Sequence, residues 1–165
     1  MAHVPRPAGV LPNIMVTLND TDFNKRMAEG IEEMIDIFKT RVGRAPTVLV
    51  IGAGSGIVPI MALEAGAAHV TGLEANADMA HVAQHQIAEA FPGHELWDIQ
   101  QCLSVDYNQG PHDMLICNLF GSMLNSKSMY VYAWNALRRG LIRNFGTDQK
   151  PIFFTVPQQG TMFYW

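Results

Sequence analysis

The stretch Val48-Leu-Val-Ile-Gly-Ala-Gly-Ser-Gly56 limits the folds open to this chain more than any other segment. An unbroken apolar run of this length is a strand buried on both faces, as strands of parallel sheets are. Gly52, Gly54 and Gly56 free the turn that follows to bend sharply and let a ligand approach the backbone closely. A second apolar strand ends at Glu74, 22 residues after Gly52. A carboxylate there can accept hydrogen bonds from two ribose hydroxyls, so the two strand ends together predict a nucleotide-type ligand site.

The rest of the chain punctuates itself around this unit. Residues 1–18, with Pro5, Pro7, Gly9 and Pro12, are expected to form an irregular arm, and residues 19–165 a single domain. Met27, Ile31, Met34, Ile35 and Phe38 recur with helical spacing and predict a helix from about 22 to 41, closed by Gly43 and Pro46. Strand 47–51, helix 57–66, strand 69–74, helix 77–90 and strands near 95–101 and 112–117 follow. Tyr130, Trp134, Leu137 and Leu141 continue a helical period, and Pro151–Val156 reads as a last strand. Strands alternating with helices predict an open, mostly parallel α/β sheet with helices on both faces and a ligand crevice at the strand carboxyl ends.

Composition narrows the partners. A formal net charge of −4 argues against broad nucleic-acid or anionic-membrane binding, which needs a basic face. Arg138, Arg139 and Arg143 are the one basic cluster, and cations at a helix carboxyl end are accounted for by its dipole. Charged residues make up only 16% of the chain, with ten methionines, a composition suited to hiding surface in a partner. Cys102 and Cys117 fall in apolar segments and read as buried thiols of a reducing compartment. No apolar run reaches the eighteen residues of a membrane span. The expected location is intracellular, cytoplasmic or organellar, mitochondria included.

Several segments together resemble class I S-adenosylmethionine-dependent methyltransferases, and among them the protein arginine methyltransferases. These are Val48–Ile57 with its glycines, Glu64-Ala-Gly-Ala, Val70-Thr-Gly-Leu-Glu-Ala-Asn and the pair Met79-Ala80. Leu18-Asn-Asp-Thr-Asp-Phe-Asn24 with Gly30-Ile31, and Asn118-Leu-Phe with Met123-Leu124, are similar to segments of the type III branch. Gly160–Trp165 resembles the segment that closes the cofactor domain. The resemblance implies a Rossmann-like fold in which Gly52, Gly54 and Gly56 face the methionine part of the cofactor, Glu74 holds the ribose and Ser104 lies near the adenine edge.

The departures from that family are chemical. The arginine that binds the cofactor carboxylate in the family aligns with Phe23, and the acid just before the first glycine aligns with Val50. Loss of such a charged hydrogen bond costs roughly 1.5–3 kcal/mol. The two glutamates that hold the substrate guanidinium align with Asn118 and Lys127. A cation about 4 Å from a docking guanidinium, at an effective dielectric of about 20, repels it by about 4 kcal/mol. No catalytic residue is therefore assigned, and no cofactor is expected, with S-adenosylmethionine or S-adenosylhomocysteine the ligand if one binds. The family also continues into a β-barrel after its closing strand. If the chain naturally ends at Trp165, Pro151–Val156 and Met162–Trp165 are expected to be covered by protein partners, with the N-terminal arm as a further contact. The resemblance thus implies a catalytically inactive arginine-methyltransferase-like protein serving as a structural or regulatory subunit of a larger complex. The alternatives are a cofactor-binding prozyme of an active methyltransferase, or an active S-adenosylmethionine-dependent protein methyltransferase.

Other constellations carry less. His81, His85 and Glu89 share a helix face and read as solvated rather than metal-binding, so no metal site is expected. Asp106 and His112 flank Gly110-Pro111 and read as loop residues. Tyr130 and Trp134 read as core or interface aromatics.

Overall fold

The structure, a computed structural model, describes residues 19–93, 95–119 and 127–157, the side chains of 127–129 excepted. Expectations placed on the arm 1–18, on Phe120 to Ser126 and on 158–165 lie outside the described residues.

Helix α1 spans Thr21–Val42, starting where the Asp20 carboxylate accepts from the Phe23 N–H at 3.0 Å. It ends at Gly43, whose φ of 79° suits glycine and whose N–H donates to Lys39 O. Then follow β1 (Thr47–Ile51), α2 (Ile57–Glu64), β2 (His69–Glu74), α3 (Ala77–Ala90), β3 (Trp97–Gln101), β4 (Met114–Cys117), α4 (Lys127–Arg138) and β5 (Phe154–Val156). The five strands form one sheet in the order β3-β2-β1-β4-β5, and every pair is parallel. The chain proceeds outward from β1 to β2 and β3, then restarts on the other side with β4. The crevice between the carboxyl ends of β1 and β4 is the switch point where open α/β sheets hold ligands.

Alternate residues of each buried strand serve two cores. Val48, Val50, Val70, Ile99, Met114, Ile116, Phe154 and Val156 pack against α1, α2 and α3. Leu49, Ile51, Leu73, Leu115 and Cys117 face the opposite side, where Tyr107, Ala136, Leu141 and Ile142 cover them. Among the described residues, helices thus lie on both faces, three to one. Phe38 anchors the larger core edge-on to Phe154 and Phe145, with ring centroids 4.9 and 5.3 Å away. Such pairs contribute ~0.5–1.5 kcal/mol each beyond burial.

Element ends differ from expectation where local hydrogen bonds compete with the ladder. His112 pairs with Ile142 instead of starting β4: its N–H donates to Leu141 O and its carbonyl accepts from Arg143. Residues 151–153 are held by a turn, since Ile152 N donates to Asn144 Oδ1 and Phe145 N to Ile152 O, so β5 starts at Phe154. Helix α2 stops at Glu64, ahead of a turn at Gly66 with φ 86°.

Helix α4 is turned differently from the sequence reading. Tyr130 and Trp134 are 53% and 63% exposed, and Val131 is 56% exposed. Tyr132, Ala133, Ala136 and Leu137 face the sheet instead. Leu141 lies beyond the helix, returned to the core by the turn at Gly140. In the closing strand Phe154 and Val156 are 4% and 8% exposed, and Ile152 before it is 46% exposed.

At the opposite end of the sheet from the crevice, Asp113 ties β4 to β1. Arg44 grips its carboxylate with both terminal nitrogens at 2.6 and 2.7 Å, Arg143 Nε adds a contact at 3.1 Å, and Thr47 N–H donates at 2.9 Å. Among the described residues no helix is long and apolar enough to cross a membrane.

Candidate functional site

The site is built on the turn after β1. Gly52 and Ala53 both donate their N–H to Leu73 O at 3.0 Å, hooking the turn onto the end of β2. Glu74, the next residue, accepts from Gly54 N at one oxygen and from Asn76 N at the other, each at 2.9 Å. Asn76 then caps α3, accepting from Met79 N at 3.1 Å. The carboxylate is therefore aimed by two backbone N–H groups. A carboxylate has about four lone-pair sites, so two remain for ligand hydroxyls.

The three glycines do separate work. All have positive φ, 81°, 57° and 93° in order. Gly54 has open space where a β-carbon would stand. Gly52 faces Leu119, whose Cδ2 would lie 2.7 Å from such a carbon, and Asn118 O, at 3.2 Å. Gly56 is buried and turned toward α3, where a β-carbon would meet Ala83 Cα and O at 3.1 Å. Its lack of a side chain lets α2 approach α3.

A cavity of about 190 Å³ opens beside this turn, lined by residues from the ends of β1, β2 and β3 and by Leu119 and Tyr132. It brings together Gly52, Glu74 and Ser104 from the sequence reading. Ser104 is 8% exposed and its carbonyl accepts from Arg139 Nη1 at 2.9 Å, while Arg139 Nη2 reaches Tyr107 O. The basic cluster thus divides its labour: Arg139 braces the cavity rim, Arg143 serves Asp113, and Arg138 is exposed in the last turn of α4.

The other positions fall around the cavity. Asn118 continues β4, its N–H donating to Ile51 O at 2.9 Å. Lys127 is the first residue of α4, and its side chain lies outside the described residues. Phe23 is partly buried against the larger core, and Val50 is buried in the central strand. Cys102 lines the cavity only partly buried, which corrects its reading as a buried thiol. Burial, then the charges of Asp106 and Asp98, push its thiol up; burial takes Cys117 to about 11. Both stay protonated at neutral pH and are poor nucleophiles.

His81, His85 and Glu89 are exposed on α3, with His85 Nδ1 3.8 Å from Glu89 Oε2. His112 is buried: it is 9% exposed, its Nε2 shares a 2.8 Å hydrogen bond with the Tyr107 hydroxyl, and the rings stack. Sequence reasoning missed Leu119 and Tyr132 at the cavity. Tyr132 is four residues from buried Ala136, a spacing that marks the inner face of α4 once its rotation is known.

An all-parallel sheet with this strand order, a glycine turn at its switch point and an acid ending β2 define a class I S-adenosylmethionine-dependent methyltransferase fold. The chain belongs to the family whose model is described as ribosomal protein L11 methyltransferase (PrmA), which matches residues 31–139. A tRNA1(Val) (adenine(37)-N6)-methyltransferase of Shewanella baltica is 31% identical over 102 residues, 59% of this chain and 42% of the relative. The chain thus spans less than half the length of the curated relatives it matches.

Two solved structures share the fold. Arabidopsis thaliana protein arginine methyltransferase 10 superposes with a TM-score of 0.61 at 24% identity, over 74% of this chain and 33% of that one. The Trypanosoma brucei PRMT1 enzyme-prozyme heterotetrameric complex with AdoHcy gives 0.62 at 23% identity, over 76% and 38%. The resemblance to arginine methyltransferases therefore holds at the level of class and fold.

Glu74 and the β3 end suit a ribonucleoside. Phe23 packs against the larger core and Leu119 lies against Gly52, and among the described residues lining the cavity none is cationic.

Proposed function

We propose that this chain is a non-catalytic methyltransferase-fold subunit of a larger protein assembly, with its nucleoside cavity kept as a structural or regulatory element. The end of β4 carries this reading. There the uncharged amide of Asn118 stands where the arginine methyltransferases carry a glutamate, and Leu119 places apolar carbon against the glycine turn. Such a surface neither neutralises a guanidinium nor orients it toward a sulfonium methyl. The exposed Tyr130, Val131 and Trp134 on α4 support a protein-facing role, since clustered apolar exposure marks interaction surfaces. The fold neighbour from Trypanosoma brucei, whose assembly pairs an enzyme with a prozyme, supports it by analogy.

The test is transfer of a labelled methyl group from S-adenosylmethionine to arginine-rich protein and to RNA, with the native mass of the protein measured alongside. Silence on both substrates and migration well above 18.3 kDa are expected. Multiple turnover, or a free monomer at natural abundance, overturns the reading.

A second reading is favoured by Asn118 together with the curated relatives. A side-chain amide oxygen can accept a hydrogen bond from a neutral amine such as adenine N6, a nucleophile that needs no carboxylate to balance charge. Transfer confined to RNA in the same assay would select it.

A further inference from the structure

We propose that the outer face of α4 is a docking site for an acidic amphipathic helix of a protein partner, with Tyr130, Val131 and Trp134 as its apolar anchors and Arg138 as the charge that selects the partner. The inference rests on the reading of the chain as a subunit of a larger assembly and names the chemistry of what that subunit meets.

Tyr130, Trp134 and Arg138 stand at i, i+4 and i+8 of α4, so they form one exposed row about 12 Å long. Val131 widens it. Arg139 Nη1 donates to Ser104 O at 2.9 Å, which sets Leu103 and Val105, 48% and 44% exposed, beside the helix. Five of the eight large apolar side chains that stand exposed among the described residues thus lie on α4 or next to it. Tryptophan, tyrosine and arginine are the residue types that dominate binding at protein interfaces. A straight row of this kind is matched by another helix, whose side-chain ridges fit between those of the first.

Charge selects the partner. Residues 45–126 hold eight acids and no lysine or arginine, whereas 127–147 hold Lys127, Arg138, Arg139 and Arg143 and no acid. Helix α4 therefore belongs to the positive part of a chain whose formal charge is −4. Arg139 is engaged on Ser104 O and Tyr107 O, and Arg143 on Asp113 Oδ1, while Arg138 is exposed at the end of the apolar row. A partner that covers this row needs an apolar stripe and a carboxylate at one end, since a guanidinium covered without a counter-charge gives up its water for nothing. Two other occupants fit less well. A second copy of α4 would bring cations to cations. A nucleic acid is held by many outward cations at once, and two of the three described arginines of this segment already serve the fold.

Fluorescence anisotropy of the full chain with two labelled helical peptides tests this. The peptides share one leucine stripe and differ only in carrying glutamate or lysine beside it. The glutamate peptide is expected to bind at least tenfold tighter than the lysine peptide. Trp134→Ser is expected to weaken it at least tenfold with an unchanged urea midpoint, and Arg138→Glu to reverse the preference between the two peptides. Equal binding of both, binding of neither, or displacement of the glutamate peptide by single-stranded oligouridine RNA overturns the inference. Self-association that Trp134→Ser abolishes in sedimentation does so too, and a fall in the urea midpoint would mean that another segment of this chain already covers Trp134. The wild-type ranking decides where a variant fails to fold. A protein of high native mass that prefers neither peptide loses this surface and keeps the subunit reading; a free monomer at natural abundance that selects the glutamate peptide loses the subunit reading alone.

Discussion

Glu74 Oε2 accepts the Gly54 N–H at 2.9 Å, so the acid that ends β2 and the turn that ends β1 hold each other in place. The same carboxylate reaches Asn76 N at the start of α3, which makes it a clasp as well as a ligand group. Glu74→Ala removes both acceptors and leaves two backbone donors to find water. We expect a loss of ~1–3 kcal/mol in urea unfolding and no measurable nucleoside binding. Stability unchanged within about 0.5 kcal/mol would show that the clasp contributes nothing.

Gly54 and Gly56 look equivalent in the sequence and are not in the fold. Alanine at 54 meets open space and bears the strain of φ 57° alone, ~1–2 kcal/mol. Alanine at 56 bears φ 93° and also presses on the Ala83 backbone at 3.1 Å. Denaturation midpoints should therefore fall further for Gly56→Ala, by ~1 kcal/mol or more beyond Gly54→Ala. Equal losses would mean that α2 and α3 separate freely.

Asp113 is 1% exposed. Burial alone would raise its pKa, but the Arg44 hydrogen bonds and the Thr47 N–H overcome this and hold it at about 2. A lowered carboxylate pKa favours the folded state above the unfolded value near 3.9 and loses that benefit as pH falls toward 2. The contribution is about 2 kcal/mol. Asp113→Ala should cost ~1–3 kcal/mol at neutral pH, because the Thr47 N–H loses its acceptor while the half-exposed Arg44 turns to water. The variant's stability should also decline less than the wild type's between pH 4 and pH 2.

His112 works in a higher window. Burial, then the charge of His69, lower its pKa, against an opposing pull from Asp113. Its folded form therefore stays neutral where the unfolded chain takes up a proton, and stability drops as pH falls below about 6.5. His112→Gln removes that titration. Plots of unfolding free energy against pH should be flatter for the variant between pH 6.5 and 5, and parallel curves would refute the assignment.

Much of this protein follows from local pattern alone. The run Val48–Ile51 could only be a doubly buried strand, and alternation of strand and helix around it led to a parallel sheet with its crevice at the carboxyl ends. Glu74 and the glycine turn could be placed side by side from the sequence because a strand length and a helix length set their separation. What chain pattern does not encode is rotation and contact between distant elements. Helix α4 carries apolar residues on more than one face, so its spacing did not say that Tyr130 and Trp134 look outward while Tyr132 looks in.

Tertiary structure decided the character of the site for the same reason. Leu119 reads as an ordinary apolar residue after a strand, yet parallel pairing of β4 with β1 brings it beside Gly52, 67 positions earlier in the chain. Asp113 likewise is one acid among fifteen until β1 and β4 align and set Arg44, Thr47 and Arg143 around it. Hydrophobic period and glycine placement act over a few residues and survive in the sequence. A cavity's size and a carboxylate's partners depend on which strand ends meet, and that is settled only when the sheet closes its register.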